Sequence, residues 1–179
     1  MKLGIYVGSF NPPHDGHYKV ASYLVDNHIV DKVLLLPTPN YWHKQDLINV
    51  KDRVNMLKFY ETDKIIVDND HNNYVVTYKV LESLEKDYKK DKLYLIIGSD
   101  NLKDLDKWDK LDLILKHKII VMNRGDLDYD IINKLGKKHF IVIDNFPFIN
   151  ISSTDIRNKK ISHINKNVLK YIEDNNLYK

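Results

Sequence analysis

The sequence predicts an α/β fold of the doubly wound, Rossmann-like type, in which helices cover both faces of a mostly parallel sheet. Two observations predict it. Short apolar runs alternate along the chain with longer stretches whose apolar residues recur at helical spacing. The short runs are apolar at nearly every position, as strands covered on both faces are. With 179 residues the chain is long enough for one sizeable core and short for two, so we expect a single domain over residues 1–179.

The apolar runs are the predicted strands, and they lie at residues 3–7, 32–37, 65–67, 93–98, 119–122 and 140–143. The segments with helical spacing are the predicted helices, at residues 18–25, 50–60, 74–88, 108–115, 129–135, from near Ser153, and 168–175. Strands that alternate with helices imply parallel strands joined by right-handed crossovers. Ligands of such sheets bind beyond the carboxyl ends of the strands. We therefore expect a site formed by the loops after Val7, Leu36, Gly98 and Ile143.

Composition and charge narrow the range of partners. The formal net charge of +3 suits anionic small molecules, but it is too small and too dispersed to indicate a nucleic-acid partner. The absence of cysteine excludes disulfides, thiolate metal sites and a cysteine nucleophile. The first residues run directly into a strand, and no apolar stretch is long enough to span a bilayer, so we expect a cytoplasmic protein with no membrane partner. A homo-oligomer is compatible with the sequence.

The loop between the first strand and the first helix reads Gly8-Ser9-Phe10-Asn11-Pro12-Pro13-His14-Asp15-Gly16-His17. Gly8 and Gly16 have no Cβ, so the backbone there can lie close to a ligand. His14 and His17 stand at the start of the helix, where free N–H groups and the helix dipole favour an anion. The two imidazoles could form a phosphate clamp. Spacing alone also fits two ordinary surface or capping histidines.

The segment Ile151-Ser152-Ser153-Thr154-Asp155-Ile156-Arg157 is the second candidate anion site. Ser152 or Ser153 is a natural N-cap, and the N–H groups behind it face outward. Arg157, one turn further, could grip a phosphate with its forked guanidinium. The alternative is an ordinary capped helix with a surface arginine.

Gly98-Ser99-Asp100 ends the fourth predicted strand, and Trp108 follows eight residues after Asp100. A carboxylate at a strand end commonly accepts hydrogen bonds from a ribose, and an aromatic plane can stack on a flat ring. The alternatives are a helix cap and a core tryptophan.

These motifs together resemble a known family. The segment from Gly8 to His17 resembles the His-x-Gly-His signature of the nucleotidyltransferase superfamily, in the form found in nicotinate and nicotinamide mononucleotide adenylyltransferases. The segment from Ile151 to Arg157 resembles the superfamily's second signature. Gly-Ser-Asp followed by Trp108 is similar to the Gly-x-Asp…Trp pattern of the pyridine-nucleotide enzymes, and Asn123-Arg124-Gly125 is similar to their Arg-Gly ending.

The resemblance implies transfer of the adenylyl group of ATP to nicotinate mononucleotide, with nicotinamide mononucleotide or a related acceptor such as phosphopantetheine as alternatives. It implies catalytic roles for His14, His17, Lys44 and Arg157. The residues it assigns to ATP are Gly8, Ser9, Phe10, Gly16, Gly98, Asp100, Ile151, Ser152, Ser153 and Thr154. The residues assigned to the mononucleotide are Asn11, Tyr74, Val75, Trp108, Asp109 and Arg124. Because no His/Asp/Glu cluster has the spacing of a protein metal cage, we expect Mg²⁺ to arrive on the ATP phosphates.

Two positions depart from the family pattern near the expected pyridine pocket. Val75 stands where many nicotinate enzymes have a hydroxyl, and Asp109 stands where they often have a second aromatic residue. The choice between carboxylate and amide acceptors therefore stays open at this point. The histidines that match no motif are interpreted as surface residues, namely His43, His71, His117, His139 and His163.

Overall fold

The structure is a computed structural model that describes residues 1–40 and 46–179. Its sheet contains β1 (Lys2–Gly8), β2 (Lys32–Pro37), β3 (Ile65–Val67), β4 (Lys92–Gly98), β5 (Lys118–Met122) and β6 (Phe140–Ile143). The strand order is β3-β2-β1-β4-β5-β6, and every pairing within the described residues is parallel. The predicted doubly wound α/β fold is confirmed, and all six predicted strands are present within a residue or two of their expected ends.

The strand order reverses direction at β1, which pairs with β2 on one side and with β4 on the other. Such a switch point opens a crevice at the carboxyl ends of the strands. β1, β4 and β5 end there at Gly8, Gly98 and Met122, so the loops that follow these three strands lie at the same edge of the sheet. This is the edge at which the sequence predicts the site.

The helices are α1 (Asp15–Asp26), α2 (Val50–Leu57), α3 (Thr77–Asp87), α4 (Ser99–Leu102), α5 (Leu111–Ile114), α6 (Tyr129–Leu135), α7 (Ser153–Arg157) and α8 (Lys166–Asp174). Short 3₁₀ turns cover Lys58–Tyr60, Leu105–Lys107 and Lys137–His139. Most follow the predicted periodicity, with α3 beginning three residues later than predicted.

The single helix predicted over residues 108–115 is wrong. Trp108 is extended, with φ −69° and ψ 141°, and Lys110 is left-handed at φ 52°. The core takes Leu105 and Ile114 on either side of this turn, and both are almost fully buried. The chain therefore turns at Trp108 and Lys110, between the 3₁₀ turn that buries Leu105 and the helix that buries Ile114, and a helix begins only at Leu111.

Apolar side chains fill both faces of the sheet, as strand alternation requires. Along β4, Leu95 belongs to the cluster on one face, with α3 and α6, whereas Ile96 belongs to the cluster on the other, with α1. A third cluster joins α2 to α8 through Met56 and Ile172. Among the described residues, no helix combines the length and hydropathy that a bilayer crossing requires.

Candidate active site

A cavity of about 200 Å³ opens at the carboxyl edge of the sheet, beside the switch point. We call it the histidine pocket, and its lining residues are Tyr6, His14, Gly16, His17, Arg124, Phe146, Phe148, Ile149, Ile151, Ser152 and Ser153. The β1–α1 loop, the start of α7 and the loop after β5 each contribute to it. The structure thus brings together two motifs that lie more than a hundred residues apart in the chain.

His14 and His17 are held by the backbone at the start of α1. The Gly16 N–H donates to His14 Nδ1 over 3.0 Å, and the His14 N–H donates to His17 Nδ1 over 3.1 Å. The two rings stack with centroids 3.8 Å apart. Because each Nδ1 is an acceptor, each neutral ring carries its proton on Nε2. The pair therefore offers two Nε2–H donors without a partner among the described residues.

Gly16 is required by this arrangement. A Cβ at this position would lie 2.7 Å from His14 Cε1, which is closer than carbon atoms approach without displacement. The glycine predicted for its closeness to a ligand is thus needed first for its closeness to the His14 ring. His17 is supported from the core side by Phe10, whose ring meets it edge-on at 4.9 Å.

The electrostatics of the pair follow from burial. Burial lowers the pKa of His14 to about 4 and that of His17 well below its ordinary value, and the nearby Arg124 guanidinium acts in the same direction. Both imidazoles are neutral at pH 7. Positive charge in the histidine pocket is therefore supplied by Arg124, while the histidines supply hydrogen-bond donors.

Arg124 is anchored from the opposite wall of the histidine pocket. Its N–H donates to Ser99 Oγ over 2.9 Å, and its guanidinium lies 4.7 Å from the centre of the Phe148 ring. Ser99 is fully buried and also donates a hydrogen bond to Asp126. Sequence reasoning assigned Arg124 to the mononucleotide and overlooked Ser99. The structure places Arg124 beside both histidines and shows that Ser99 ties the loop after β4 to the loop after β5.

The second motif begins α7 as predicted, with Ser152 as the N-cap. Ser152 Oγ accepts from the Asp155 N–H over 3.1 Å, and the Asp155 carboxylate accepts from the Ser152 N–H over 3.1 Å. This capping box uses two of the polar groups that the sequence assigns to an anion. Ser153 Oγ donates to the Pro12 carbonyl over 2.7 Å. The motif therefore holds the β1–α1 loop as well as facing the histidine pocket.

Arg157 points away from the histidine pocket, into a second cavity of about 610 Å³. We call this the C-terminal cavity, and the described residues that line it are Asp46, Ile48, Thr154, Arg157, Asn158, Asn176, Leu177, Tyr178 and Lys179. The Arg157 guanidinium donates to the Asn11 carbonyl over 2.7 Å and to Thr154 Oγ1 over 3.1 Å. Lys44, the remaining predicted catalytic residue, lies outside the described residues, two positions before Asp46.

Several predicted contact residues of the first loop are buried. Phe10 is almost fully buried in the core, at φ 48°, and packs against Gly8, where a Cβ would lie 3.2 Å from its ring. The Asn11 side chain is 2% exposed, and protein atoms occupy both ends of its amide. Ser9 accepts from Arg53 through its carbonyl. The ring of Phe10 and the amide of Asn11 therefore shape the loop, and the contacts that the sequence predicts for them with ligands stay predictions.

Four of the six residues predicted to hold the acceptor lie on two other loops of the same edge, together with Asp100, which is predicted to bind ATP. Tyr74 and Val75 precede α3 and are 39% and 62% exposed. Trp108 is half-buried against the core, and Asp109 is exposed. On α4, Asp100 Oδ1 turns back against Gly98, so close that a Cβ there would collide with it. The ligand contacts of these five residues stay predictions.

Arg53 is a structural residue that the helical pattern concealed. It is fully buried on α2, and its guanidinium donates to the carbonyls of Ile48, Ser9 and Thr38 over 2.9, 2.9 and 2.7 Å. These carbonyls belong to the loops after β1 and β2. Charged residues on an amphipathic helix are usually solvated, so the helical pattern gave no sign that Arg53 is buried.

The interpretation of His71 as a surface residue is wrong. His71 is 7% exposed, with Nδ1 2.8 Å from Asp68 Oδ2 and Nε2 2.6 Å from Asp87 Oδ2. Burial opposes its charged form, but the hydrogen bonds with Asp87 and Asp68 outweigh burial and raise the pKa of His71. The three side chains join the loop after β3 to the end of α3.

This geometry defines a nucleotidyltransferase: the chain matches the Cytidylyltransferase-like family over residues 5–159 and belongs to it. Relatives narrow the class further. The chain is 37% identical to the probable nicotinate-nucleotide adenylyltransferase of Borreliella burgdorferi, with 99% of this chain and 97% of the relative covered. It is 34% identical to that of Acholeplasma laidlawii, with 97% and 96% covered. The chain is therefore a member of the nicotinate-nucleotide adenylyltransferase family.

Comparison of the fold with solved structures finds an enzyme with an equivalent name. The structure of Plasmodium falciparum nicotinic acid mononucleotide adenylyltransferase complexed with NaAD superposes with a TM-score of 0.80 over 99% of this chain and 97% of that chain, at 21% identity. At this identity the likeness concerns the fold.

Proposed function

We propose that this protein transfers the adenylyl group of ATP to nicotinate mononucleotide, forming nicotinate adenine dinucleotide and pyrophosphate for the synthesis of NAD. The observation that carries the proposal is the histidine pocket, where two Nε2–H donors and the Arg124 guanidinium face one cavity at the switch point. Hydrogen-bond donors around one cationic group suit phosphate oxygens. The family of the chain supports this activity and this acceptor.

The reaction needs no covalent enzyme intermediate. A phosphate oxygen of the mononucleotide attacks the α-phosphorus of ATP and forms a new P–O bond. The bond between the α-phosphorus and the oxygen that bridges to the β-phosphorus breaks, and this oxygen takes the bonding electrons into the leaving pyrophosphate. Negative charge moves toward the leaving group, so catalysis depends on positioning and on donors aimed at that charge.

The residues divide this work according to their positions. His14 and His17 donate from Nε2 to phosphate oxygens without bringing charge of their own at neutral pH. Arg124 supplies the positive charge of the histidine pocket, and Arg157 supplies charge on the side of the C-terminal cavity. Lys44, which lies outside the described residues, is proposed to add a positive charge to the phosphates. Trp108 is proposed to stack on the pyridine ring of the acceptor.

Mg²⁺ is proposed to enter on the ATP phosphates and to neutralise part of their charge. The histidine pocket presents N–H groups and a guanidinium, a donor set that suits anionic oxygens and not a cation. Within residues 1–40 and 46–179, no group of three His, Asp or Glu side chains is arranged to hold a metal ion. The metal would therefore be held mainly by phosphate oxygens and water.

Pyrophosphate release from ATP, measured with nicotinate mononucleotide, nicotinamide mononucleotide and phosphopantetheine as acceptors, tests the proposal. We expect the highest kcat/KM with nicotinate mononucleotide, by only a modest margin over the amide. Val75 offers no hydroxyl to the acceptor carboxylate, and the anionic Asp109 opposes it. Asp109→Tyr should widen the margin. A higher kcat/KM for nicotinamide mononucleotide would overturn the choice of acceptor. If neither pyridine nucleotide supports pyrophosphate release, the proposed function is overturned.

A further inference from the structure

Asn11 joins the segments that carry the proposed catalytic groups. Its Nδ2 donates to the Asp46 carbonyl over 2.7 Å, and its Oδ1 accepts from the Ile48 N–H over 3.4 Å. Its backbone carbonyl accepts from Arg157 over 2.7 Å. It also lies three residues before His14. The loop of the histidines, the segment that contains Asp46 and Ile48, and Arg157 are therefore all held by Asn11.

The last partner of Asn11 comes from the C-terminal segment, which we define as residues 166–179. Tyr178 Oη donates to Asn11 Oδ1 over 2.6 Å, across 167 positions of the sequence. Burial raises the pKa of Tyr178 above its ordinary value, so the phenol keeps its proton and remains a donor. The backbone is arranged to reach this contact. Asn176 and Tyr178 have φ of 52° and 60°, and Lys159 Nζ donates to the Tyr178 carbonyl over 3.0 Å.

We propose that Tyr178 is a positioning residue for the ATP site, and that its hydrogen bond to Asn11 holds the phosphate-binding loops in their working arrangement. The inference rests on the proposed function, because it assigns ATP to the loops that Asn11 joins. Among the described residues, Tyr178 also lines the C-terminal cavity beside Arg157 and Thr154. The C-terminal segment thus forms one wall of the site and fixes the opposite wall through Asn11.

The physical reason lies in the geometry of the Asn11 amide. Its oxygen has two donors, and the longer contact with Ile48 is weak at 3.4 Å. Without the Tyr178 hydroxyl the amide oxygen keeps only the weak contact with Ile48, so the amide is held less firmly beside Asp46. A small displacement of loops that position a reacting phosphate lowers the rate far more than it lowers stability.

Tyr178→Phe removes only the hydroxyl and tests the inference directly. We expect kcat/KM for ATP to fall about tenfold, which is the size of losing one buried hydrogen bond. The KM for the mononucleotide should change less than the kcat/KM for ATP, because the Asn11 carbonyl holds Arg157, which is proposed to bind phosphate, whereas Trp108 lies on another loop. An ATP kcat/KM within twofold of the unmodified protein would overturn the inference.

Tyr171→Phe is the matched control. Tyr171 also lies in the C-terminal segment, and its hydroxyl donates to Asp52 Oδ1 over 2.7 Å and accepts from Asn55 over 3.0 Å. These contacts join α8 to α2 and do not reach Asn11. We expect similar losses in Tm for the two variants and a loss of ATP kcat/KM for Tyr178→Phe alone. Equal losses of activity would mean that the C-terminal segment acts through stability, and the inference would fail.

A double-mutant cycle and a binding measurement complete the test. In an Asn11→Ala background, Tyr178→Phe should have no further effect on ATP kcat/KM, whereas a full additional effect would show that Tyr178 acts elsewhere. Calorimetric titration with ATP separates this inference from the proposed function. If no acceptor supports turnover, the proposed function fails, and the inference then stands on a Kd for ATP weakened several-fold in Tyr178→Phe. A Kd equal to that of the unmodified protein would overturn it.

Discussion

Two histidine sites, the pair His14 and His17 after β1 and the single His71 after β3, lie at the same edge of the sheet, and their pKa shifts have opposite directions. His14 and His17, after β1, accept hydrogen bonds from backbone N–H groups, and burial lowers the pKa of both. His71, after β3, contacts the carboxylates of Asp68 and Asp87, which raise its pKa. Burial opposes the charged imidazole in both places, so the partner atoms decide the outcome.

The same difference separates a site for a ligand from a structural link. Both ring nitrogens of His71 are engaged by protein side chains, which leaves no donor for a ligand. In the histidine pair each Nδ1 is engaged, while Nε2 has no partner among the described residues and faces the pocket wall shared with Arg124. The histidine pair is therefore a candidate active site because its Nε2–H donors are unsatisfied, whereas His71 is a structural residue because both of its ring nitrogens are satisfied.

The largest expected effect is on catalysis. His17→Ala should lower kcat by about 10²–10³, the range for losing one donor to developing charge, while Tm changes little. Pyrophosphate release at saturating ATP measures kcat, and thermal unfolding measures Tm. Near-normal turnover would place His17 with His71 among the structural histidines and remove the contrast between the two groups.

The next effect is on stability. His71→Ala should lower the free energy of unfolding by about 2 kcal/mol, because Asp68 Oδ2 loses its imidazole partner while Oδ1 keeps its two backbone N–H donors. Most of the loss should come from Asp68, since Asp87 is largely exposed and solvent screens its contact. Urea unfolding measures the loss. The folded variant should keep kcat within about threefold. A hundredfold fall in kcat would mean that the contacts of His71 with Asp68 and Asp87 are needed for catalysis.

The smallest effect is the pH dependence of stability, and it has opposite signs at the two sites. The pKa of His14 is about 4 when folded and about 6.5 when unfolded, so the unfolded chain binds more protons between these values. The contribution of His14 is therefore complete above pH 6.5 and is lost as pH falls. The raised pKa of His71 makes its contribution complete below pH 6.5 and lost as pH rises through the folded value.

Urea unfolding of His14→Asn and His71→Gln between pH 6 and pH 8 checks these signs. The difference between the unmodified protein and His14→Asn should rise with pH, by less than about 1 kcal/mol. The difference from His71→Gln should decrease with pH. Two differences that change in the same direction would contradict the assignment of opposite pKa shifts.

The strands and the two phosphate motifs could be predicted because their signals are local. β2 and β3 have the predicted bounds, and Ser152 caps α7 as its side chain and position indicate. The helix predicted over residues 108–115 is wrong, because the turn at Trp108 depends on how the core buries Leu105 and Ile114 on either side of it. Arg53 was concealed for a related reason, since three loop carbonyls surround it only after folding.

The sequence by itself determined the α/β order, the starts of α1 and α7 and the resemblance to the family, since apolar periodicity, capping preferences and glycine positions act within a few residues. The tertiary structure decided the direction of the pKa shift at His14, His17 and His71, the placement of Arg124 beside His14 and His17, and the contact of Tyr178 with Asn11. These depend on groups separated by 16 residues for His71 and Asp87 and by 167 for Tyr178 and Asn11. A pKa or a buried hydrogen bond is set by whatever lies within a few ångströms, and only the folded chain determines which groups those are.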